Sequence, residues 1–559
     1  MAFVFDSDIS QLSLAHINSM EKVDATMQDV SMLVRRLHTL RNSFAPINAR
    51  LPKEILCEIF LHLTSSRGPS RSFTEVNICR YWRDTALEYP RLWTNICLKR
   101  GLGWPSLQLS RSKQATLRIA SHNTSAIGES FLRMILKELP RTNELDVQVP
   151  HRLWHEFVAK LPDASSLEIL HLRVAFQAHL SVATSPLPRL RRLTLEGLPL
   201  FTTRALLSST LTRLVIREVP VLQPVSEWAG ALAGLPALQV LSLSDAFRRQ
   251  DDNVAPPPSV SRSHFPCLRG LALREQWDGK TSAYFLRSIV LPASAAITFR
   301  GKTDEAEEHG DIYKAIIEKL EDETYSAASP PLSCRVSNVT LAPQGATLSL
   351  WNMQETAERI MHADKRLRPE PQVSVLWYGG GDEPCLSGVL DTFLRYATSI
   401  RLRTLCFEGA LKLDAHAWNT CHQLEDLCDL YLGRYAPVAL SDFLAEPIND
   451  HWPFPNLETL TLSGIPWTRD HASHKRSTRK DPMVDLWDTL AWRETYVRII
   501  IRRVKIDKAR NIRSGEMARL AILAERRGLV SQVFEWNIEE KGPIYDCSTC
   551  SSSGLSDFL

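Results

Sequence analysis

The sequence predicts an α/β chain in two parts: a short all-helical segment near the N-terminus, then a long solenoid in which helices alternate with strands of a curved parallel sheet. Three observations carry this. A phrase, Leu-x-x-Leu-x-Leu, recurs between residues 167 and 462, with helix-like segments between many of its copies. Between Leu51 and Leu63 the apolar residues step with helical spacing instead. The composition, 44% hydrophobic and 23% charged over 559 residues, is that of a folded chain with room for several domains or one long array.

The totals also exclude some functions. A formal charge of +3 is small for this length and makes no general case for nucleic acid. Eleven cysteines, an odd number, with Cys79, Cys267 and Cys406 in core-like surroundings, point to reduced thiols. The first residues carry acids where a secretory signal has bases, and no apolar run approaches the roughly 20 residues of a membrane span. Cytoplasm, nucleus or both are the expected compartments, with no membrane partner.

Residues 1–45 hold one helical feature. Met20, Val23, Met27, Val30, Val34 and Leu37 step by three and four, as on a coiled-coil seam. The run is short of the three to four heptads that define one, so a single amphipathic helix folded onto the next segment stands beside that reading.

Residues 46–98 form the second segment. Leu51, Ile55, Leu56, Ile59, Phe60 and Leu63 make one broad apolar stripe; Pro52 suits the first helical position and Glu54 the first turn. Leu51 offers no acceptor as an N-cap, so its side chain is expected to be used for burial. A polar loop over Thr64–Ser72 leads to a second helix over Thr74–Leu87, with Val76, Cys79, Trp82, Ala86 and Leu87 inward, and Tyr89-Pro-Arg-Leu-Trp93 closes the unit. A segment of about 50 residues buries too little to be secure alone, so its stripe needs a neighbour, either the rest of the chain or another protein.

The ordered elements Leu-Pro-x-Glu-Ile-Leu-x-x-Ile-Phe (51–60), Cys-Arg-x-Trp-Arg (79–83) and Pro-x-Leu-Trp (90–93) resemble an F-box. The heptad-like helix and the approach through Pro46, Ile47, Leu51 and Pro52 are similar to F-box proteins of mushroom-forming fungi. The resemblance implies docking onto a Skp-type adaptor, and through it a cullin scaffold, by Leu51, Pro52, Ile55, Leu56, Ile59, Phe60, Leu63, Cys79 and Trp82. The inter-helix loop is longer and more polar than in the tightest F-boxes. An ordinary buried helical hairpin is the competing reading of the stripe.

Over 99–538 the phrase stands at Leu167/Leu170/Leu172, Leu190/Leu193/Leu195, Leu211/Leu214/Ile216, Leu238/Leu241/Leu243, Leu268/Leu271/Leu273, Leu402/Leu405/Phe407 and Leu457/Leu460/Leu462, with a weaker copy at Val336/Val339/Leu341. Its last two apolar residues alternate as on a strand. Helices are expected over 131–139, 154–161, 225–235, 282–290, 312–320 and 386–396. Neither half of such a unit buries its apolar face alone, so neighbours must stack. The array resembles leucine-rich repeats. Where that family places Asn or Cys after the strand, this chain has Ala175, Leu198, Val219, Ala246, Gln276 and Ile465, so an irregular, ribonuclease-inhibitor-like stack is expected. Arg248–His264, with Pro256–Pro258, and Trp467–Pro482 are expected as loops thrown out of the array. Strands are expected at Tyr496–Ile506 and Leu529–Trp536, a helix near Glu516–Arg526, and a loose tail over 539–559.

Chemical motifs are weak. Gly279-Lys-Thr281 and Gly301-Lys-Thr303 lack the first glycine of a phosphate loop, with Arg274 and Ala296 in its place. Gly379–Gly381 reads as a turn. Cys547 and Cys550 have the spacing of half a zinc site, with only His471 and His474 as a conceivable other half. The basic stretch Arg469–Lys480 reads as a solvated loop, with nuclear import or phosphate contact as alternatives. No catalytic residue, cofactor site or metal site is nominated. The outward residues beside the strand leucines, His171, Arg173, Arg192, Arg213, Arg217 and Arg274, are mostly basic, which suits an acidic or phosphorylated protein substrate. With the resemblance, they imply a non-catalytic substrate-recognition subunit of a Skp, cullin and F-box ubiquitin ligase. The alternatives are a leucine-rich-repeat scaffold with no ligase and, more distantly, a phosphate-handling enzyme.

Overall fold

The structure, a computed structural model, describes residues 20–67, 78–97, 103–120, 128–174, 187–248, 262–275, 279–292, 294–302, 310–321, 336–342, 345–351, 373–378, 392–395, 402–409, 418–419, 421–433, 437–448, 451–463, 482–497, 501–509, 522 and 533–538. It is a mixed α/β protein with N-terminal helices and extensive parallel sheet. The chain divides into two compact units, Met1–Leu198 and Pro199–Leu559.

The first unit begins with helices α1 (Met20–Ser43), α2 (Pro46–Arg50), α3 (Lys53–Arg67) and α4 (Arg80–Glu88), and a 3-10 turn over Pro90–Trp93. Strands β1 (Asn95–Cys97), β2 (Leu117–Ala120), β3 (Thr142–Val149), β4 (Ile169–Val174) and β5 (Arg192–Glu196) then pair in sequence order, all parallel. Helices α5 (Gly103–Ser112), α6 (Glu129–Leu136) and α7 (Trp154–Lys160) lie between them in the chain.

The expected polar loop at Thr64 is instead the last turn of α3, because the first helix breakers after Pro52 are Gly68 and Pro69. The second helix starts later than expected. Cys79 is extended and buried at its N-cap, held beside Asn48, so no helix passes through it.

The second unit contains β6 (Arg213–Arg217), β7 (Val240–Ser244), β8 (Ser263–His264), β9 (Gly270–Glu275), β10 (Ile289–Val290), β11 (Ala296–Lys302), β12 (Val336–Ala342), β13 (Gly345–Trp351), β14 (Val373–Tyr378), β15 (Thr404–Gly409), β16 (Asp429–Gly433), β17 (Thr459–Ser463), β18 (Arg503–Ala509) and β19 (Val533–Ile538). Its helices are α8 (Leu200–Leu206), α9 (Val225–Leu232), α10 (Gly279–Ser288), α11 (Gly310–Glu321), α12 (Pro437–Ala445) and α13 (Pro482–Trp492), with one more turn at 392–395. The main sheet runs β6-β7-β9-β11-β14-β13-β12-β15-β16-β17-β18-β19. Among the described strands only β13 is antiparallel to its neighbours, so the purely parallel sheet expected from the repeated phrase is interrupted there by a reversing strand.

Every strong copy of the repeated phrase lands on a strand, its first leucine no more than 1% exposed. Four of these leucines close a turn with proline second, Leu187-Pro-Arg-Leu190, Leu235-Pro-Ala-Leu238, Phe265-Pro-Cys-Leu268 and Phe454-Pro-Asn-Leu457; the fourth residue's amide donates to the first carbonyl. Proline presets the φ that this position needs. The residue before the strand then accepts two amides from the next repeat. The Glu168 carbonyl takes those of Arg191 and Arg192 at 2.9 and 3.0 Å, and the Thr212 carbonyl those of Gln239 and Val240 at 2.7 and 3.0 Å. This backbone ladder repeats at Gln239, Arg403 and Cys428.

On the other end of the strands, Gly197, Glu218 and Asp245, each directly after a strand, have φ of 76, 51 and 50°. The following Leu198, Val219 and Ala246 are buried. A left-handed residue followed by an apolar plug thus makes the turn without Asn or Cys; Ala175, Gln276 and Ile465 lie outside the described residues.

Other expectations need correction. Ser263–His264 is not loop but β8, paired with β10, and Phe265 donates to the Val290 carbonyl at 3.1 Å. Tyr496 starts no strand: residues 493–497 continue helically, with Tyr496 stacked 5.6 Å from Trp492 and Thr495 Oγ1 donating to the Ala491 carbonyl. The strand begins only at Arg503, and the last strand is Val533–Ile538. Of Glu516–Arg526 only Ile522 is described, as helical, and the 539–559 tail lies outside the described residues.

Candidate functional site

Two surfaces collect the residues nominated from sequence. The first is built on α3. Its stripe is wider than its own neighbours can cover. Leu56 and Phe60 sit at 1% and 2% exposure in a cluster with Ala86, Leu92 and Trp93, against which Leu51, Trp82, Leu87, Tyr89 and Trp104 pack. Phe60 meets Trp82 edge-on at 5.4 Å, and Trp93 Nε1 donates to the Ala86 carbonyl at 2.9 Å. At 100° per residue, Ile55 and Ile59 lie on the flank of the stripe. They are 49% and 37% exposed. Pro52 is exposed, Leu51, Leu63 and Trp82 are half-buried, and Cys79 is buried.

The α2 helix extends this surface. Trp82 Nε1 donates to Asn48 Oδ1 at 2.7 Å, and Asn48 Nδ2 reaches the Cys79 sulfur at 3.9 Å. That link joins α2 to the start of α4, and the residues beside its ends, Ile47 and Ile78, are 50% and 58% exposed. Four exposed isoleucines on one small helical unit exceed the scattered apolar residues of an ordinary surface. Ile47 and Ile78 were not nominated; with no helical partner in register, periodicity gives them no signal. Cys57, on the buried side of α3, has its thiol pushed above the usual value by burial and then by Glu54 and Glu58. It is a packing residue.

The second surface is the sheet face opposite the buried leucines, and the six nominated residues divide over it. In the first unit, His171, Arg173 and Arg192 share the face with Glu144, Asp146 and Glu196. Arg173 Nη2 lies 2.7 Å from Asp146 Oδ1, and Arg118 Nε is 3.7 Å from Glu144. The face expected to be basic is therefore mixed in sign, because β3 supplies acids that the leucine phrase does not reveal.

In the second unit the expectation meets a different arrangement. Strand register aligns Arg217 with Ser244, Ser244 with Arg274, and Arg274 with Arg300. Neighbouring strands are about 4.8 Å apart, so three exposed guanidinium groups lie in one row across four strands. Arg213 is two pleat repeats away on the same face as Arg217, and β6, β7, β9 and β11 place no acid on that face. Glu275 points to the buried side. Arg300 was missed because its strand lacks the leucine phrase.

The weaker motifs gain little. Gly301 and Lys302 lie within β11, where their amides belong to a sheet ladder rather than a phosphate-cradling loop. Gly279–Thr281 opens α10, with Gly279 and Thr281 buried. Cys547, Cys550, His471, His474, the basic stretch 469–480 and Gly379–Gly381 lie outside the described residues. Among the described residues no group of three His, Cys, Asp or Glu side chains is placed to hold a metal ion, and no helix is long and apolar enough to cross a membrane. No family model matches the chain, and no curated protein is detectably similar to it.

Proposed function

We propose that this chain is a non-catalytic substrate receptor of a cullin-type ubiquitin ligase, with residues 46–98 acting as an F-box and residues 99–538 as an irregular leucine-rich-repeat solenoid. One observation supports the docking half above the others: Ile55 and Ile59, within the Leu-Pro-x-Glu-Ile-Leu-x-x-Ile-Phe element, are left uncovered while Leu56 and Phe60 beside them are buried. A helix that fills its own core and keeps an apolar flank exposed suits a foreign subunit. The Skp-type adaptor is the proposed occupant, with the cullin scaffold reached through it, in cytoplasm or nucleus.

The substrate half rests on the acid-free row Arg217, Arg274 and Arg300. Arg274 and Arg300 stand opposite each other on adjacent strands, where like charges cost stability unless an anion joins them, and guanidinium groups bind carboxylates and phosphates in paired fashion. An acidic or phosphorylated protein segment is the proposed substrate class. The receptor breaks no bond; it holds its substrate close to ubiquitin activated elsewhere in the complex, so its contribution is proximity.

Titrating the full chain against purified Skp-type adaptor tests the reading, and an Ile55→Asp, Ile59→Asp double variant should lose the complex. The burial of Leu56, Phe60 and Cys79 within the chain's own core favours a second reading, an interaction scaffold whose N-terminal helices pack internally and meet no ligase. Absence of any adaptor complex with the unmodified chain would select it.

A further inference from the structure

The helix α1 is 24 residues long and has no buried residue. Its three-and-four spacing fits either a helix folded onto the following helices or part of a coiled-coil seam. The fold does not cover it: Met20, Met27, Val30, Val34 and Leu37 are 76, 64, 43, 43 and 42% exposed, and Leu40 is 37% exposed. Its last turn is tied down, since Asn48 Nδ2 donates to the Asn42 carbonyl at 2.7 Å.

At 100° per residue, Met20, Val23, Met27, Val30, Leu33, Val34, Leu37 and Leu40 fall within one half of the helix circumference. Met32 alone of its large exposed apolar residues stands on the opposite side. A continuous apolar face of about 30 Å, open to water, is an unsatisfied surface.

The charges indicate what covers it. Glu21, Asp24 and Asp29 fall in the first half, where Lys22 is the one base. Arg35, Arg36 and Arg41, with His38, fall in the second half, which has no acid. The helix is therefore complementary to its own reversed sequence. Laid parallel, two copies set acid against acid and arginine against arginine. Laid antiparallel, they set each acidic half along a basic half.

The seam obeys the same symmetry. With Met20 opposite Leu37 of the second copy, Val23 meets Val34 and Met27 meets Val30, and the three layers repeat about a two-fold axis.

We propose that α1 pairs with α1 of a second copy of this chain as an antiparallel two-helix coiled coil, making the protein a homodimer. This stands independently of any ligase role. The seam is short, so dimerisation depends on concentration, and the charge pairing makes it weaken as salt rises.

Sedimentation velocity on the full chain under reducing conditions tests the proposal. A monomer–dimer equilibrium is expected, and a monomer at every concentration overturns the proposal. Val30→Asp should abolish the dimer while the unfolding transition of the body is unchanged; a dimer indifferent to it places the contact elsewhere and overturns the assignment.

Charge variants test the direction without touching the seam. Glu21→Arg/Asp24→Arg/Asp29→Arg and Arg35→Glu/Arg36→Glu should each weaken self-association severalfold, since each gives both halves of the helix one sign and turns the attraction between opposite halves into repulsion. An equimolar mixture of the two should restore a dimer. Unchanged self-association in both variants overturns the antiparallel arrangement, because like already faces like in a parallel pair.

Discussion

Replacing Phe60 and replacing Ile55 should have opposite signatures, although both residues lie on α3 only five positions apart. Phe60 is 2% exposed, in edge contact with Trp82 and clustered with Leu56, Ala86, Leu92 and Trp93. Truncating such a side chain to Ala costs about 3–5 kcal/mol in lost burial and residual cavity. That is about a fifth or more of a stability that is ordinarily about 5–15 kcal/mol. Ile55 is half covered. Full burial of an isoleucine side chain is worth about 1.5–3 kcal/mol, so its exposed half leaves about 1 kcal/mol to be gained in a complex. Ile55→Ala should therefore leave folding nearly unchanged and weaken adaptor binding by about fivefold. Ile55→Asp adds an unpaired carboxylate to the contact, about 2–3 kcal/mol more, and should weaken it by more than about a hundredfold. Urea unfolding and adaptor titration calorimetry on the same preparations separate the two effects. Adaptor affinity within about twofold of the parent for Ile55→Asp, or unaltered unfolding for Phe60→Ala, would refute the division of α3 into a core side and a docking side.

Three further predictions concern the rest of the chain. A Cβ on Gly197 would stand 2.3 Å from the Val174 carbonyl oxygen on a backbone of φ 76°, so Gly197→Ala should destabilise the first unit by about 1–3 kcal/mol in urea unfolding. Cys57, its thiol raised by burial and by Glu54 and Glu58, should alkylate more slowly than a model thiol at pH 8 and in the native chain respond only at higher pH. The sign follows: the fold favours the neutral thiol, so this contribution is whole below the unfolded thiol's value near 9.0 and is lost as pH rises through the higher folded value, read as a falling urea midpoint. Arg217→Glu with Arg274→Glu and Arg300→Glu should abolish binding of an acidic or phosphorylated substrate segment, measured by fluorescence anisotropy, while reversal of Arg173 and Arg192 should change it much less. Equal losses from the two sets would count against the acid-free row as the binding surface.

Much of this was legible in order and spacing alone. The strand at each strong copy of the leucine phrase follows because a period of two buries alternate side chains wherever a strand forms. The core of the N-terminal helices follows from the stripe at Leu56 and Phe60 and from the aromatic residues Trp82 and Trp93. One further copy, Leu427/Leu430/Leu432 on β16, carries the same signal and was missed. The turns were legible in part, since Leu-Pro-x-Leu and Phe-Pro-x-Leu mark four of them. The absence of Asn or Cys after the strands was legible, but the left-handed residue and apolar plug found there depend on what the preceding strand presents, as the Val174 carbonyl does to Gly197.

What only the tertiary structure decided was which side of each apolar or charged element meets a neighbour. Periodicity assigns Ile55 and Leu56 to one stripe; the width that other helices can cover separates them. Composition makes His171, Arg173, Arg192, Arg213, Arg217 and Arg274 one basic set; strand register sends three of them among acids and aligns two with Arg300. Spacing along a chain reports the local period of burial, whereas charge neutralisation and coverage depend on residues far away in sequence, brought to within a few ångströms only by the pairing of strands and the packing of helices.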